Sequence, residues 1–319
     1  GIGNSFIKFD LNDNSVFEVS YQNTDINKNQ NAKESLLASD FLNYKLLQRS
    51  HNFRHSQEID MFPMFEDHIL SYVQFKPINW HDTNGVVIQL TNASAIWKIA
   101  KQGPEKKYAN KQGKNSYPTK KSHSSAHKEF TDLIKGFNTG IKSLIDKINN
   151  SANNILKNKL GYNITFHLEL VLKQKEKLTI ASYNAPKYEI KLIIDDFNGK
   201  GVIIKPQSFL NEARLSALAL SIRLAILEER LPDATIKILV LDDLMISLDM
   251  TNRDKVSSII LNDYAWYRDD TGNDYGHQTF ILTHERSLFT FIKNDIANLS
   301  TIKKDTWKLI EIYVDDKDE

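Results

Sequence analysis

Two short runs in which apolar and polar residues alternate, Ser5 to Phe9 and Val16 to Tyr21, flank the polar stretch Asp10 to Ser15, and together they predict an antiparallel hairpin. From Ser35 to Arg49 the apolar residues Leu36, Leu37, Phe41, Tyr44 and Leu47 recur at helical spacing. A second helix is expected around Phe65, Ile69, Leu70 and Val73, after Pro63, with the polar loop His51 to Asp60 between the two. The longest periodicity runs from Glu129 to Leu160, where Phe130, Leu133, Phe137, Ile141, Leu144, Ile148, Ala152 and Ile155 follow one another in steps of three and four. That spacing predicts a long amphipathic helix. Gly136 and Gly140 weaken it by about 1 kcal/mol each relative to alanine, so it is expected to pack on the body of the protein and not to stand as a free coiled coil. Ile164 to Leu172 and Tyr188 to Ile194 read as strands, followed by a turn at Asn198 to Gly201 and a short strand through Ile204. Downstream the pattern changes to a strong helix from Leu210 to Glu229, a short buried strand from Ile236 to Leu241 and a helix from Arg253 to Leu261. A second buried strand follows from Gln278 to Leu282 and a last strand from Trp307 to Val314. Apolar strands alternating with helices predict a parallel α/β sheet.

Length and composition bound this picture. A chain of 319 residues exceeds what one core usually holds, so a large body with an insertion is expected, divided at 1–100, 101–128, 129–204 and 205–319. The formal charge of +1 exerts no global pull on nucleic acid or membrane, so any basic surface must be local. Residues 101–128 supply one, with eight lysines against the single acid Glu105, and Gly103, Pro104, Gly113 and Pro118 among them. This segment reads as a basic flexible loop, open between a solvated linker and a surface on which Tyr108, Tyr117 and the lysines meet DNA phosphates. His123 and His127 lie in it with no pattern that assigns them chemistry. The absence of cysteine excludes a disulfide scaffold, a thiolate metal site and a cysteine nucleophile. The longest apolar stretch, Leu215 to Leu227, is interrupted by Arg223 and is too short to span a bilayer. With no apolar leader at its start the chain is expected in the cytoplasm, with no membrane partner, and the opening Gly1 suggests a piece of something longer.

The chemistry gathers at strand ends. Ile236 to Leu241 runs directly into Asp242 and Asp243, which a parallel sheet carries to its C-terminal edge, where open α/β folds bind ligands. One carboxylate there can hold a hard cation such as Mg²⁺ while its neighbour orients or deprotonates a water. Taken alone, two acids could equally mark a solvated strand end. Ser247, Leu248 and Asp249 follow, and the second buried strand ends in Thr283 and His284.

These residues resemble a known family. Leu239 to Asp243 followed by Ser247-Leu248-Asp249 resembles the Walker B and D-loop motifs of ABC-type ATPase heads, and Ile281-Leu282-Thr283-His284 resembles their H-loop. Upstream, Phe209 to Arg214 leading into Leu215 to Ala225 resembles the signature loop and helix of the SMC, RecF and RecN-like branch, so that four motifs stand in the family's order across 205–290. Ser56 to Phe62 resembles the Q-loop region, and the opening hairpin resembles the small β-lobe of the same heads.

The resemblance implies an α/β ABC ATPase head with a parallel sheet in the C-terminal lobe, a small antiparallel region and a helical insertion. It implies ATP and Mg²⁺ as cofactors, Asp242 and Gln57 in the metal shell, and Asp243 and His284 at the reacting phosphate. Gln57, Asn211, Glu212, Ala213, Arg214 and Asp249 would contact nucleotide or link two sites. Two heads would sandwich ATP as a dimerisation switch in DNA repair, DNA maintenance or antiphage defence, with DNA and a nuclease or toxin as further candidate partners.

Three departures qualify it. No G-x-x-x-x-G-K-[ST] occurs, so the P-loop is expected in cis on a longer chain or in trans, or the member is degenerate and serves as a non-catalytic interaction module that regulates its effector. Asp243 stands where the family has glutamate. The signature is Leu210-Asn211-Glu212-Ala213-Arg214, in which Asn211 takes the family's serine position and caps the helix, or else Glu212 matches the family's final Gln or Glu.

The two readings of 101–128 separate by experiment. If the lysines meet phosphates, replacing Lys106, Lys107, Lys120 and Lys121 with glutamine weakens DNA binding for all sequences and flattens its salt dependence, as read by fluorescence anisotropy across a salt series. Unchanged affinity and slope return the segment to the linker reading.

Overall fold

The computed structural model describes residues 6–10, 16–20, 30–43, 59–82, 85–109, 114–230, 234, 236–245, 248 and 250–312. The chain divides into two compact units, a larger one of 1–38 with 47–235 and a smaller one of 39–46 with 236–319. No described helix is long and apolar enough to cross a membrane.

In the larger unit the expected opening hairpin is present, Phe6–Asp10 pairing antiparallel with Val16–Ser20. Helix Phe62–His68 carries Pro63 in its first turn, where a missing N–H costs nothing. A hairpin that the hydrophobic pattern did not announce follows, Gln74–His81 with Val87–Asn92. Asn92 ends it and caps the next helix, Ala93–Gln102, its side-chain oxygen accepting from the Ala95 N–H at 3.0 Å. The long helix spans Ser124–Asn154 and ends in a widened turn, Ile155–Lys159. Its buried residues include every apolar position that the periodicity assigned through Ala152, with Ile134 and Ile145 widening the stripe.

An aromatic cluster centres this unit. Trp97 stacks on Phe137 at 4.9 Å, and Phe62 meets Trp97 edge-on at 5.3 Å. Phe75 meets Phe137 at 5.9 Å, and Tyr188 closes the group with its hydroxyl donating to Asn138. Burial of that phenol pushes its pKa up to about 12. The two helix glycines have their reason here. An added Cβ at Gly140 would run into the ring of Phe75, and one at Gly136 into the end of Ile78, so both glycines let the hairpin lie close against the helix.

The strands Ile164–Gln174 and Lys187–Phe197 form a twisted antiparallel pair with bulges near Lys187 and Ile194. The expected strand through Ile204 reduces to one bridge, Ile194 with Ile203. Helix Glu212–Glu228 is buried at every residue from Leu215 to Leu227, Ser216, Ser221 and Arg223 included.

Within the smaller unit, Ile238–Asp242 is the central strand of a three-stranded parallel sheet, flanked by Asp40–Asn43 and Gln278–Leu282. The molecule is thus a mixed α/β protein with a parallel sheet and small antiparallel pairs. Helices Met250–Ile259, Arg286–Ala297 and Thr301–Lys304 accompany that sheet, with a short hairpin of Tyr267–Arg268 and Asp274–Tyr275. Hydrogen bonds from the Thr271 hydroxyl and the Asn273 N–H tie Asp269 into that hairpin's loop and hold its pKa down, to about 2.

Three sequence expectations are corrected. The helix expected from Ser35 to Arg49 ends at Ala38, and Phe41 and Leu42 instead join the strand Asp40–Asn43, because the central strand offers them a parallel ladder that local periodicity does not register. The strand expected from Trp307 to Val314 is irregular through 312 after the helix Thr301–Lys304. Residues 101–128, expected as a loop, hold the end of one helix, a two-residue hairpin of Tyr108–Ala109 with Asn115–Ser116, and the start of the long helix. Lys106 lies 5.6 Å over the Tyr117 ring and Tyr108 lies 4.3 Å from the His123 ring, so part of the basic segment is organised by its aromatic residues.

Gly140→Ala is expected to lower the thermal midpoint even though alanine favours the helix by about 1 kcal/mol, since overpacking against a rigid ring costs about 1–3 kcal/mol. Gly136→Ala meets only a flexible side-chain end and should stay nearer wild type. Scanning calorimetry on both variants checks the order.

Candidate functional site

The C-terminal end of the central strand sets the site. Asp242 is its last residue, opposite Leu282 on one side and Asn43 on the other. The ladder runs one step further, the Asp243 N–H donating to the Leu282 carbonyl at 3.0 Å, before the chain turns away. Asp243 makes that turn with φ of 49°, in the left-handed region that aspartate tolerates better than most side chains.

Two residues past the end of the neighbouring strand, His284 places Nδ1 2.7 Å from Asp243 Oδ2. The imidazole is 79% exposed and the carboxylate 34%, so the aspartate anchors the ring from below while Nε2 faces outward. A ring that donates Nδ1–H to a carboxylate is fixed in tautomer and orientation and keeps Nε2 free as an acceptor, or as a donor once protonated. The other carboxylate oxygen, Oδ1, is buried and receives no hydrogen bond among the described residues.

A second tie, absent from the sequence reading, holds the same loops. Arg253, in helix Met250–Ile259, donates Nε–H to the Leu248 carbonyl at 2.9 Å and sets Nη1 3.4 Å from Glu285 Oε2. It thereby links the loop after the central strand to the residue that follows His284. The available signal was an arginine one turn into the helix after Asp249, but an arginine facing the strand end and one facing solvent look alike in sequence.

Asn211, Glu212, Ala213 and Arg214 belong to the larger unit. Asn211 is the N-cap of helix Glu212–Glu228, with extended backbone and a side-chain oxygen accepting from the Arg214 N–H at 3.1 Å. Glu212 is exposed in the first turn, and the Arg214 guanidinium lies 4.9 Å over the Phe197 ring. Gln57 and Asp249 fall outside the described residues, as does Ser247. Asp242, Asp243 and His284 therefore share one sheet edge. Among the described residues no group of three or more His, Asp or Glu side chains is arranged to hold a metal.

No protein-family model matches the chain, and no curated protein does either. One similar solved structure is the Smc head domain of Pyrococcus furiosus with an extended coiled coil, bound to the C-terminal domain of ScpA. It is 14% identical with a TM-score of 0.30, over 54% of this chain and 38% of that one, so this chain spans well under half of that neighbour's length.

The Asp243 contact is expected to be visible in solution. In ¹⁵N-resolved spectra of the neutral ring, His284 should appear as the Nδ1–H tautomer, the form that free imidazole disfavours, and Asp243→Ala should return it to the Nε2–H form. An Nε2–H ring in the unmodified protein would mean that the contact does not persist in water.

Proposed function

We propose that the chain forms part of an ATP-binding and ATP-hydrolysing head of the SMC and RecF-like kind, a switch that closes with a second head when nucleotide is bound. One observation carries the reading: the Asp243 carboxylate and the His284 imidazole are hydrogen-bonded at the shared end of two parallel strands, next to Asp242. A pair that can position water lies beside a carboxylate able to face a cation, at the sheet edge where α/β folds hold phosphates.

The donor set fits part of Mg²⁺-ATP. Asp242 offers the hard oxygen that Mg²⁺ prefers, directly or through water, and His284 offers a polar nitrogen to a phosphate oxygen. The N–H cradle for the triphosphate has no counterpart in this sequence and is assigned to a P-loop in cis or in trans. When bound, Mg²⁺-ATP would supply the electrophilic phosphorus and neutralise developing charge. In this scheme Asp243 orients or deprotonates the attacking water, His284 senses the terminal phosphate, and the Asn211-capped helix faces the nucleotide of the paired head. Gln57 and Asp249 keep their assigned roles at the metal and between the two sites. DNA and a nuclease or toxin effector are the partner classes that such a switch would serve.

With the P-loop portion present, Asp243→Asn should retain nucleotide-dependent dimerisation while turnover falls by about 10²-fold or more, the usual contribution of a positioned general base. Steady-state phosphate release and sedimentation check the two halves. Turnover at the wild-type rate would remove Asp243 from the chemistry, and loss of dimerisation together with turnover would favour a structural role.

A further inference from the structure

Among the described residues the strand Ile164–Gln174 is paired with a strand on one side only, Lys187–Phe197, and the long helix Ser124–Asn154 closes half of its other side. The closure is unusual in its chemistry. The side-chain amide of Asn153 donates to the Phe166 carbonyl at 2.7 Å and accepts from the Phe166 N–H at 3.0 Å. Asn149, one turn earlier, does the same for Leu168, at 3.1 and 2.7 Å. Two asparagines thus stand in for an absent neighbouring strand, satisfying outward-pointing backbone groups that would otherwise form an open edge.

The substitution stops there. Outward-pointing positions recur every second residue, so Leu170 and Leu172 follow Phe166 and Leu168. The partner strand confirms the parity. Ile190, in register with Leu170, turns its own N–H to Asp60 Oδ1 at 3.0 Å and its carbonyl to the Met61 N–H at 2.8 Å, away from Leu170, as a non-hydrogen-bonded antiparallel pair requires. One helical turn before Asn149 stands Ile145, which has no amide to offer. Among the described residues nothing pairs with the outer edge at Leu170 and Leu172. Beside it a groove of about 420 Å³ runs between the strand and the helix, with Ile145 and Leu168 in its lining and Asn138 and Tyr188 among its other walls. Asp146 and Glu169 flank it, both exposed and neither paired with a described cation, against the single Lys142.

We infer that this groove binds an extended segment of a partner protein by strand addition along Leu170 to Leu172. A main chain is the ligand that matches a row of outward N–H and C=O groups at strand spacing. The lining favours apolar side chains at alternate positions facing Ile145 and Leu168, and the two carboxylates against one lysine favour basic residues between them. The inference stands apart from the nucleotide reading, since every group it uses belongs to the larger unit, whereas Asp242, Asp243 and His284 belong to the smaller one.

The probe is an acetylated, amidated eight-residue peptide alternating valine and lysine, titrated against the full chain by fluorescence anisotropy, with hydrogen exchange followed at individual amides. Binding is expected with slowed exchange at Leu170 and Leu172. A peptide N-methylated at alternate residues, which cannot complete the ladder from either register, should bind at least tenfold more weakly. Asp146→Lys combined with Glu169→Lys alters only exposed positions and should reverse preference toward a valine and glutamate peptide. Ile145→Asn would extend the asparagine row to Leu170 and abolish binding; because Ile145 is buried, the N-methylated peptide carries the test if that variant does not fold. Absence of binding, equal affinity for the N-methylated peptide, or protection of Leu170 that instead follows self-association of the chain would each overturn the assignment.

Discussion

A backbone N–H or C=O withdrawn from water must find a partner, and the smaller parts of this molecule are arranged around that requirement. Where a strand is available the ladder supplies the partner, and at the central strand it continues through the Asp243 N–H to the Leu282 carbonyl. Where none is available, short polar side chains take the place of one. Asn211 and Asn92 do so at helix starts, Asp60 at the edge beside Ile190, and Asn149 and Asn153 along Ile164–Gln174. Asp196 does so inside the turn at Asn198 to Gly201, where N–H groups of Gly199 and Gly201 draw its pKa down. These six asparagines and aspartates are therefore structural.

That distinction bears on how much of the molecule is legible in its sequence. The ends of the buried strands were legible, because an apolar run such as Ile238 to Leu241 that stops abruptly at two acids fits a buried strand reaching a polar edge and little else. The long helix was legible from its apolar stripe. The strand Asp40–Asn43 was not, since Leu37, Phe41 and Tyr44 satisfy helical spacing equally well and its ladder partner lies almost two hundred residues away. Gly136 and Gly140 were legible as weak points in a helix but not as contact points, because what touches them is a hairpin from a different part of the chain. In each case the missing information was non-local.

The site shows the same division. Sequence order brought Asp242, Asp243 and His284 to one edge by topology alone, and a parallel sheet needs no further information to do this. It could not show that Asp243 and His284 would be bonded to each other, nor that Arg253 and Glu285 would tie their two loops. The first contact depends on side-chain direction at a turn whose φ is outside the ordinary range, and the second on which way a helix side chain faces.

That turn also accounts for the aspartate at 243, where the motif that the strand end resembles has glutamate. A left-handed backbone costs most side chains about 1–2 kcal/mol, and aspartate and asparagine are penalised least because a short polar group can bond locally. At φ of 49° the position after Asp242 thus selects aspartate over the longer glutamate. The shorter arm then keeps the carboxylate close to its own backbone, with Oδ2 on His284 and Oδ1 buried beneath. The imidazole, 79% exposed, carries the pair outward from the strand end. Backbone conformation, residue identity and the histidine contact form a single arrangement, in which the turn permits the aspartate and the aspartate holds the histidine.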